Sequence, residues 1–150
     1  MELDTIDRII DEYDGEDGIL IQVLQDVQAE YNWLPKEALE RVCERLGIPL
    51  TQAYSVASFY KAFSLVPRGR HIANVCMGTA CHVRGAPRIL EKVEDVLGIK
   101  ACETTQDRRF SLERVNCLGC CALGPVMVID GEAHGKLAVS GVEGILDGYE

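Results

Sequence analysis

Apolar residues recur every three or four positions through roughly the first 65 residues, the period of an amphipathic helix. Ile6, Ile9, Ile10 and Tyr13 mark one helical face. Asp14-Gly15-Glu16-Asp17-Gly18 breaks the pattern, and Ile19, Leu20, Val23, Leu24, Val27 and Tyr31 mark a second face. Leu34-Pro35 ends that stretch. Proline suits a helix's first turn, where its missing N–H has no partner to lose, so a third helix is predicted from Pro35. Ala38, Leu39, Val42, Cys43 and Leu46 keep the spacing up to Gly47, a natural helix stop. Thr51 is placed to cap a fourth helix, TQAYSVASFYKAF, before Pro67-Arg68-Gly69 interrupts. Residues 1–66 are thus predicted to form a small helical bundle. Cys43, on an apolar face, reads as a core thiol.

From His71 the period changes. HIANVC has strand character and ends on Cys76, and the loop MGTACHVRG follows. In APRILEKVEDVLG the residues Ala86, Ile89, Leu90, Val93, Val96 and Leu97 share a helical face. RRFSLERVN alternates as a strand does, with Phe110, Leu112 and Val115 apolar and an irregularity before Val115. VMVID and EAHGKLAV flank Asp130-Gly131, a dipeptide that favours a tight hairpin, and GVEGILDGY closes the chain as a helix. Residues 67–150 are predicted to be an α/β layer, which makes the whole chain α/β with a helical bundle at its N-terminus.

Composition narrows the function. A hydrophobic fraction of 47% in 150 residues supplies a real core. No apolar run approaches the roughly 20 residues that span a bilayer, so no membrane insertion is expected. The first residues are acidic, where a signal or transit peptide is basic. The expected location is therefore the cytoplasm. A net charge of -9 argues against nucleic acid, whose phosphates recruit Lys and Arg.

The seven cysteines are Cys43, Cys76, Cys81, Cys102, Cys117, Cys120 and Cys121. An odd count without a signal peptide speaks against a disulfide framework and for metal ligands or redox thiols. Cys76 and Cys81 form one cluster at a strand-to-loop junction; Cys117, Cys120 and Cys121 form another. Gly78, Thr79, Ala80, Gly119, Ala122 and Gly124 lie in or beside them. Such small residues let backbone N–H groups approach thiolates or inorganic sulfide. The helix beginning near Arg84-Gly85-Ala86-Pro87 would bring its positive end toward an anionic site. Three chemistries compete on spacing alone: an iron–sulfur cluster, a structural zinc in a zinc-stabilised interaction module, and a thiol–disulfide oxidoreductase. The plant-type ferredoxin spacing is excluded, because it needs a cysteine where Arg84 stands.

The runs CMGTAC (76–81) and CLGCCALGPVMVI (117–129), with GIPLTQAYSVASFY upstream, resemble the thioredoxin-like [2Fe–2S] ferredoxin family over nearly the whole chain. That family includes subunits of respiratory NADH:quinone oxidoreductase and of bacterial NAD(P)-linked hydrogenases and formate dehydrogenases. The resemblance implies a thioredoxin-like α/β domain over residues 67–150 that carries one [2Fe–2S] cluster. It assigns Cys76, Cys81, Cys117 and Cys121 as the ligands, with Cys120 an extra thiol and Cys102 outside the pattern. It further implies an electron-transfer subunit with no substrate site of its own. The partner would be a larger flavoprotein subunit binding FMN and NAD(P)H, together with further iron–sulfur or catalytic subunits. The N-terminal bundle would help to dock that partner. His82, next to Cys81, is expected to serve its loop rather than the cluster.

Overall fold

The computed structural model describes residues 3–13 and 18–149. The chain divides into two compact units, residues 1–67 and 68–150. The predicted break at 14–18 lies outside the described residues apart from Gly18. Among the described residues no helix is long and apolar enough to cross a membrane.

The first unit contains α1 (Leu3–Asp11), α2 (Leu20–Tyr31), α3 (Lys36–Leu46) and α4 (Leu50–Phe59). The stripes predicted from periodicity meet in one core, in which Ile6, Val23, Leu24, Val27, Leu39 and Val42 are fully buried. Each such side chain contributes about 1.5–3 kcal/mol. Cys43 is buried with them. Gly47 takes the left-handed conformation and its N–H caps the Cys43 carbonyl, as a C-terminal stop should. Two helix starts differ from expectation. Pro35 precedes α3 in extended conformation instead of opening it. Thr51 does not cap α4: the carbonyl of Pro49 accepts the Gln52 N–H at 2.9 Å, so the helix is under way by Leu50. The fourth helix also stops early. The chain turns at Tyr60, whose carbonyl accepts the Phe63 N–H, and Phe63 reaches the core while Phe59 is exposed.

The second unit runs β1 (His71–Cys76), α5 (Thr79–Val83), α6 (Ala86–Leu97), β2 (Phe110–Val115), β3 (Met127–Ile129), β4 (Glu132–His134) and α7 (Val142–Asp147). The sheet order is β2-β1-β3-β4. β1 pairs parallel with β2, the crossover carrying α6, and antiparallel with β3, which forms a hairpin with β4. Asp130 and Gly131 both adopt positive φ, 49° and 89°, as a two-residue hairpin turn requires. Ala73, Val75, Phe110, Leu112, Met127 and Ile129 of the sheet pack with Ile89 and Val93 of α6 and Val142 and Leu146 of α7.

Three details differ from the sequence reading. The loop after Cys76 contains the short helix α5. β2 carries no irregularity: its six residues pair one to one with β1, from His71–Phe110 to Cys76–Val115. Val115 breaks the apolar alternation because it lies on the face of Ser111 and Glu113, where it is half-buried, and Ser111 on that face is buried. Its Oγ accepts the Gly69 N–H at 2.8 Å and lies 2.7 Å from Thr104 Oγ1. The strand in EAHGKLAV ends at His134. Lys136 N–H and Leu137 N–H turn away to the carbonyls of Leu123 and Pro125.

Candidate functional site

Topology brings the two cysteine loops to one end of the sheet. β1 and β2 run in the same direction and in register, so Cys76 closes one strand opposite Val115, two residues before Cys117. β3 runs back beside β1, with Met127 opposite Val75, so residues 116–126 must turn over that same end. Met77 N–H donates to the Val115 carbonyl at 2.8 Å and Cys76 N–H to the Val126 carbonyl at 3.1 Å, which hold the strand ends in place. The first turn of chain after β1 folds as α5 and returns Cys81 to the Cys76 side. Both thiols are almost fully buried, in a small cluster with Ala86 and Val126. Cys117 and Cys121 lie at the exposed rim, Cys121 opening a single 3-10 turn that ends at Leu123.

The sulfurs form a linked set. Burial opposes ionisation of Cys76. The backbone amides of Gly78 and Leu118 and the thiols of Cys81 and Cys117 favour its thiolate, and the balance holds it below the usual thiol value. Cys81 is pushed up, first by burial, then by its hydrogen bond with Cys76 and by the charges of Cys76 and Cys121, against the help of the Val126 amide. Gly119 N–H donates to Cys117 Sγ at 3.3 Å. Cys120 is half-buried and packs against the Cys76–Cys81 cluster, and its thiol donates to the Leu118 carbonyl at 3.5 Å. Among the described residues no three His, Cys, Asp or Glu side chains converge as a single metal ion requires. Cys43 lies in the helical unit, where burial raises its thiol, and Cys102 is exposed at positive φ. His82 is exposed, and its backbone N–H belongs to α5, bonded to the Gly78 carbonyl at 2.8 Å.

Two glycines leave room around the buried thiols. A β-carbon on Gly78 would lie 2.9 Å from the Asn116 carbonyl oxygen and 3.5 Å from Cys76 Sγ. One on Gly124 would fall among Cys81 Sγ, the Cys121 carbonyl and the Arg84 guanidinium. Periodicity and spacing passed over Arg84, whose Nη1 donates to the Cys121 carbonyl at 2.7 Å. Its position three residues after Cys81, about one helical turn, was the available signal. Four thiols from two loops, backbone N–H groups aimed at sulfur, and one cation fit an anionic [2Fe–2S] group. α6 does begin at Ala86, beside the thiols, but the cation in contact with the second loop is a side chain.

Comparison with known proteins agrees with this chemistry. The NADP-reducing hydrogenase subunit HndA of Solidesulfovibrio fructosivorans is 35% identical over 142 residues, which are 95% of this chain and 83% of that protein. An NADH-quinone oxidoreductase subunit of Escherichia coli (strain K12) is 34% identical over 149 residues, 99% of this chain and 90% of the relative. Both are named as subunits of oxidoreductases. A chain in the crystal structure of an NAD+-reducing [NiFe]-hydrogenase in the air-oxidized state shares the fold. The TM-score is 0.73 at 19% identity, over 86% of this chain and 22% of that one. The profile of the thioredoxin-like [2Fe–2S] ferredoxins matches residues 6–150, and the chain belongs to that family, whose cofactor is one [2Fe–2S] cluster.

Proposed function

We propose that this chain is an electron-transfer subunit of an NAD(P)-linked oxidoreductase and that Cys76, Cys81, Cys117 and Cys121 hold its cluster. The carrying observation is the topology that brings both cysteine loops to one end of the sheet, with Cys76 and Cys81 buried together and Cys117 and Cys121 at the rim, while the thiol of Cys120 is engaged by the Leu118 carbonyl. When bound, the cluster supplies a site that takes up and releases one electron at a time. The chain's residues do the rest. Cys76 and Cys81 anchor the group on the buried side, and Cys117 and Cys121 hold it from the rim. The amides of Gly78 and Leu118 favour the thiolate of Cys76 and that of Val126 the thiolate of Cys81, and Gly119 N–H donates to Cys117 Sγ.

The partner in this reading is a larger flavoprotein subunit that binds FMN and NAD(P)H and exchanges single electrons with this chain. The oxidoreductase subunits among its relatives support that reading. Further iron–sulfur or catalytic subunits would complete the complex, and the helical unit would help to dock the flavoprotein. A cytoplasmic location suits seven cysteines that are all free thiols.

Serine variants of the adjacent cysteines test the assignment. Anaerobically purified Cys121→Ser should lose or badly perturb the visible spectrum and lower the iron and sulfide content, whereas Cys120→Ser should keep both. The reverse result overturns the ligand set. A colourless wild-type chain with stoichiometric zinc overturns the function in favour of a zinc-stabilised module. Disulfide reduction by metal-free protein, abolished by Cys117→Ser or Cys120→Ser, would favour thiol exchange instead.

A further inference from the structure

The charges carried by the cysteine loops are of one sign. Residues 77–90 and 116–129 contain no Asp or Glu, and their only Arg or Lys are Arg84 and Arg88, in a chain of net charge -9. Arg84 ends α5, one turn after Cys81, with its N–H on the Ala80 carbonyl. Its Nη1 is tethered to the carbonyl of Cys121. Arg84 Nη1 and Cys81 Sγ lie 3.5 and 3.1 Å from one point, the place a β-carbon on Gly124 would occupy. The guanidinium is therefore held beside a buried thiol of one loop and bonded to the backbone of the other.

A guanidinium keeps its charge across the accessible pH range. Reduction adds one negative charge to an already anionic group, so a fixed cation nearby favours the reduced form. We propose that Arg84 is a positioning and charge residue that raises the reduction potential of the cluster held by Cys76, Cys81, Cys117 and Cys121; this rests on the ligand reading above. The step involves one electron and breaks no bond. The electron comes from a reduced flavin in the complex, or from dithionite in a titration. Arg84 is exposed, so solvent screens part of its effect.

The test is a dithionite titration of the full-length, cluster-loaded chain with mediator dyes, followed by the electron paramagnetic resonance signal of the reduced form. At the wild-type midpoint, Arg84→Gln should lower the ratio of reduced to oxidised protein about threefold, equivalent to about 30 mV for one electron. Arg84→Lys should restore most of that shift, and Arg88→Gln should move the midpoint much less. An unchanged midpoint in Arg84→Gln overturns the proposal. So does a shift in Arg84→Lys or Arg88→Gln as large as that in Arg84→Gln. If Arg84→Gln does not hold the cluster but Arg84→Lys does, at the wild-type midpoint, the charge is upheld as the required property. Loss of the cluster from both variants overturns the proposal in favour of a purely structural brace. Failure of the ligand reading is seen separately, as a Cys121→Ser chain with normal iron content.

Discussion

Gly124 lies against Cys81 so closely that a β-carbon placed on it would sit 3.1 Å from the sulfur and 3.3 Å from the carbonyl oxygen of Cys121. Neither neighbour is the loose end of a long side chain. Gly124→Ala is therefore expected to push the second cysteine loop away from the first, at about 1–3 kcal/mol of overpacking. Iron and sulfide per chain should fall, while amide-exchange protection across β1 and β2 should persist. Full iron content in Gly124→Ala would show that the loop has slack.

Phe110 begins β2, is 1% exposed and packs in the core beneath α6 and α7. Phe110→Ala should cost about 3–5 kcal/mol, and Phe110→Leu much less because it conserves more volume. Native-state amide exchange of β1 and β2 separates this loss from events in the helical unit. Equal protection in both variants and wild type would contradict the assigned core.

Arg109 holds the chain's last helix. Its Nε donates to the Tyr149 carbonyl at 2.7 Å and its Nη2 to the carbonyls of Leu146 and Tyr149. Hydrogen bonds from a charged donor contribute about 1.5–3 kcal/mol, so Arg109→Ala should fray α7. Faster exchange of the α7 amides, with β3 unaffected, is the expected signature.

Asp7 on α1 accepts from Arg41 of α3 at 2.8 Å and pairs with Arg45 at 3.0 Å. The hydrogen bond from Arg41 is the largest influence and holds the carboxyl below its ordinary value of 3.8, against a smaller effect of burial. A carboxylate with a depressed folded-state pKa stabilises the fold fully above its unfolded pKa, and that stability is lost as pH falls through the folded value. Asp7→Asn should thus be less stable than wild type near neutral pH, with the gap closing below about pH 4. Denaturant midpoints read by the fluorescence of Trp33, in the same unit, check this. A gap that persists at low pH would mean that the substitution acts through packing.

Most of the architecture was legible because burial writes a period into the chain. The stripes on α1, α2, α3 and α6 name residues that are buried or packed against the cores, and Asp130-Gly131 marks its hairpin. What stayed hidden depends on neighbours distant in sequence. Ser111 read as an outward polar position of an alternating strand, because nothing local says that Gly69 and Thr104 engage its hydroxyl in a buried place. Thr51 looked like a cap because capping preference is local, whereas Pro49 had already started the helix. At the site, cysteine spacing and family resemblance named the thiols together. The bond from Arg84 to Cys121 spans 37 residues and has no periodic signature.

The parallel pairing of β1 with β2 also bears on how the chain tolerates being cut. Under the proposed ligand assignment each strand leads to one pair of thiols, and the crossover between them is long and partly irregular after α6. A nick in the segment between Gly98 and Phe110 would leave two pieces, each with two of the four proposed ligands and neither able to complete that set. Metal binding would then return only when the pieces zip along the six-residue ladder, which makes iron uptake a direct reporter of fragment complementation.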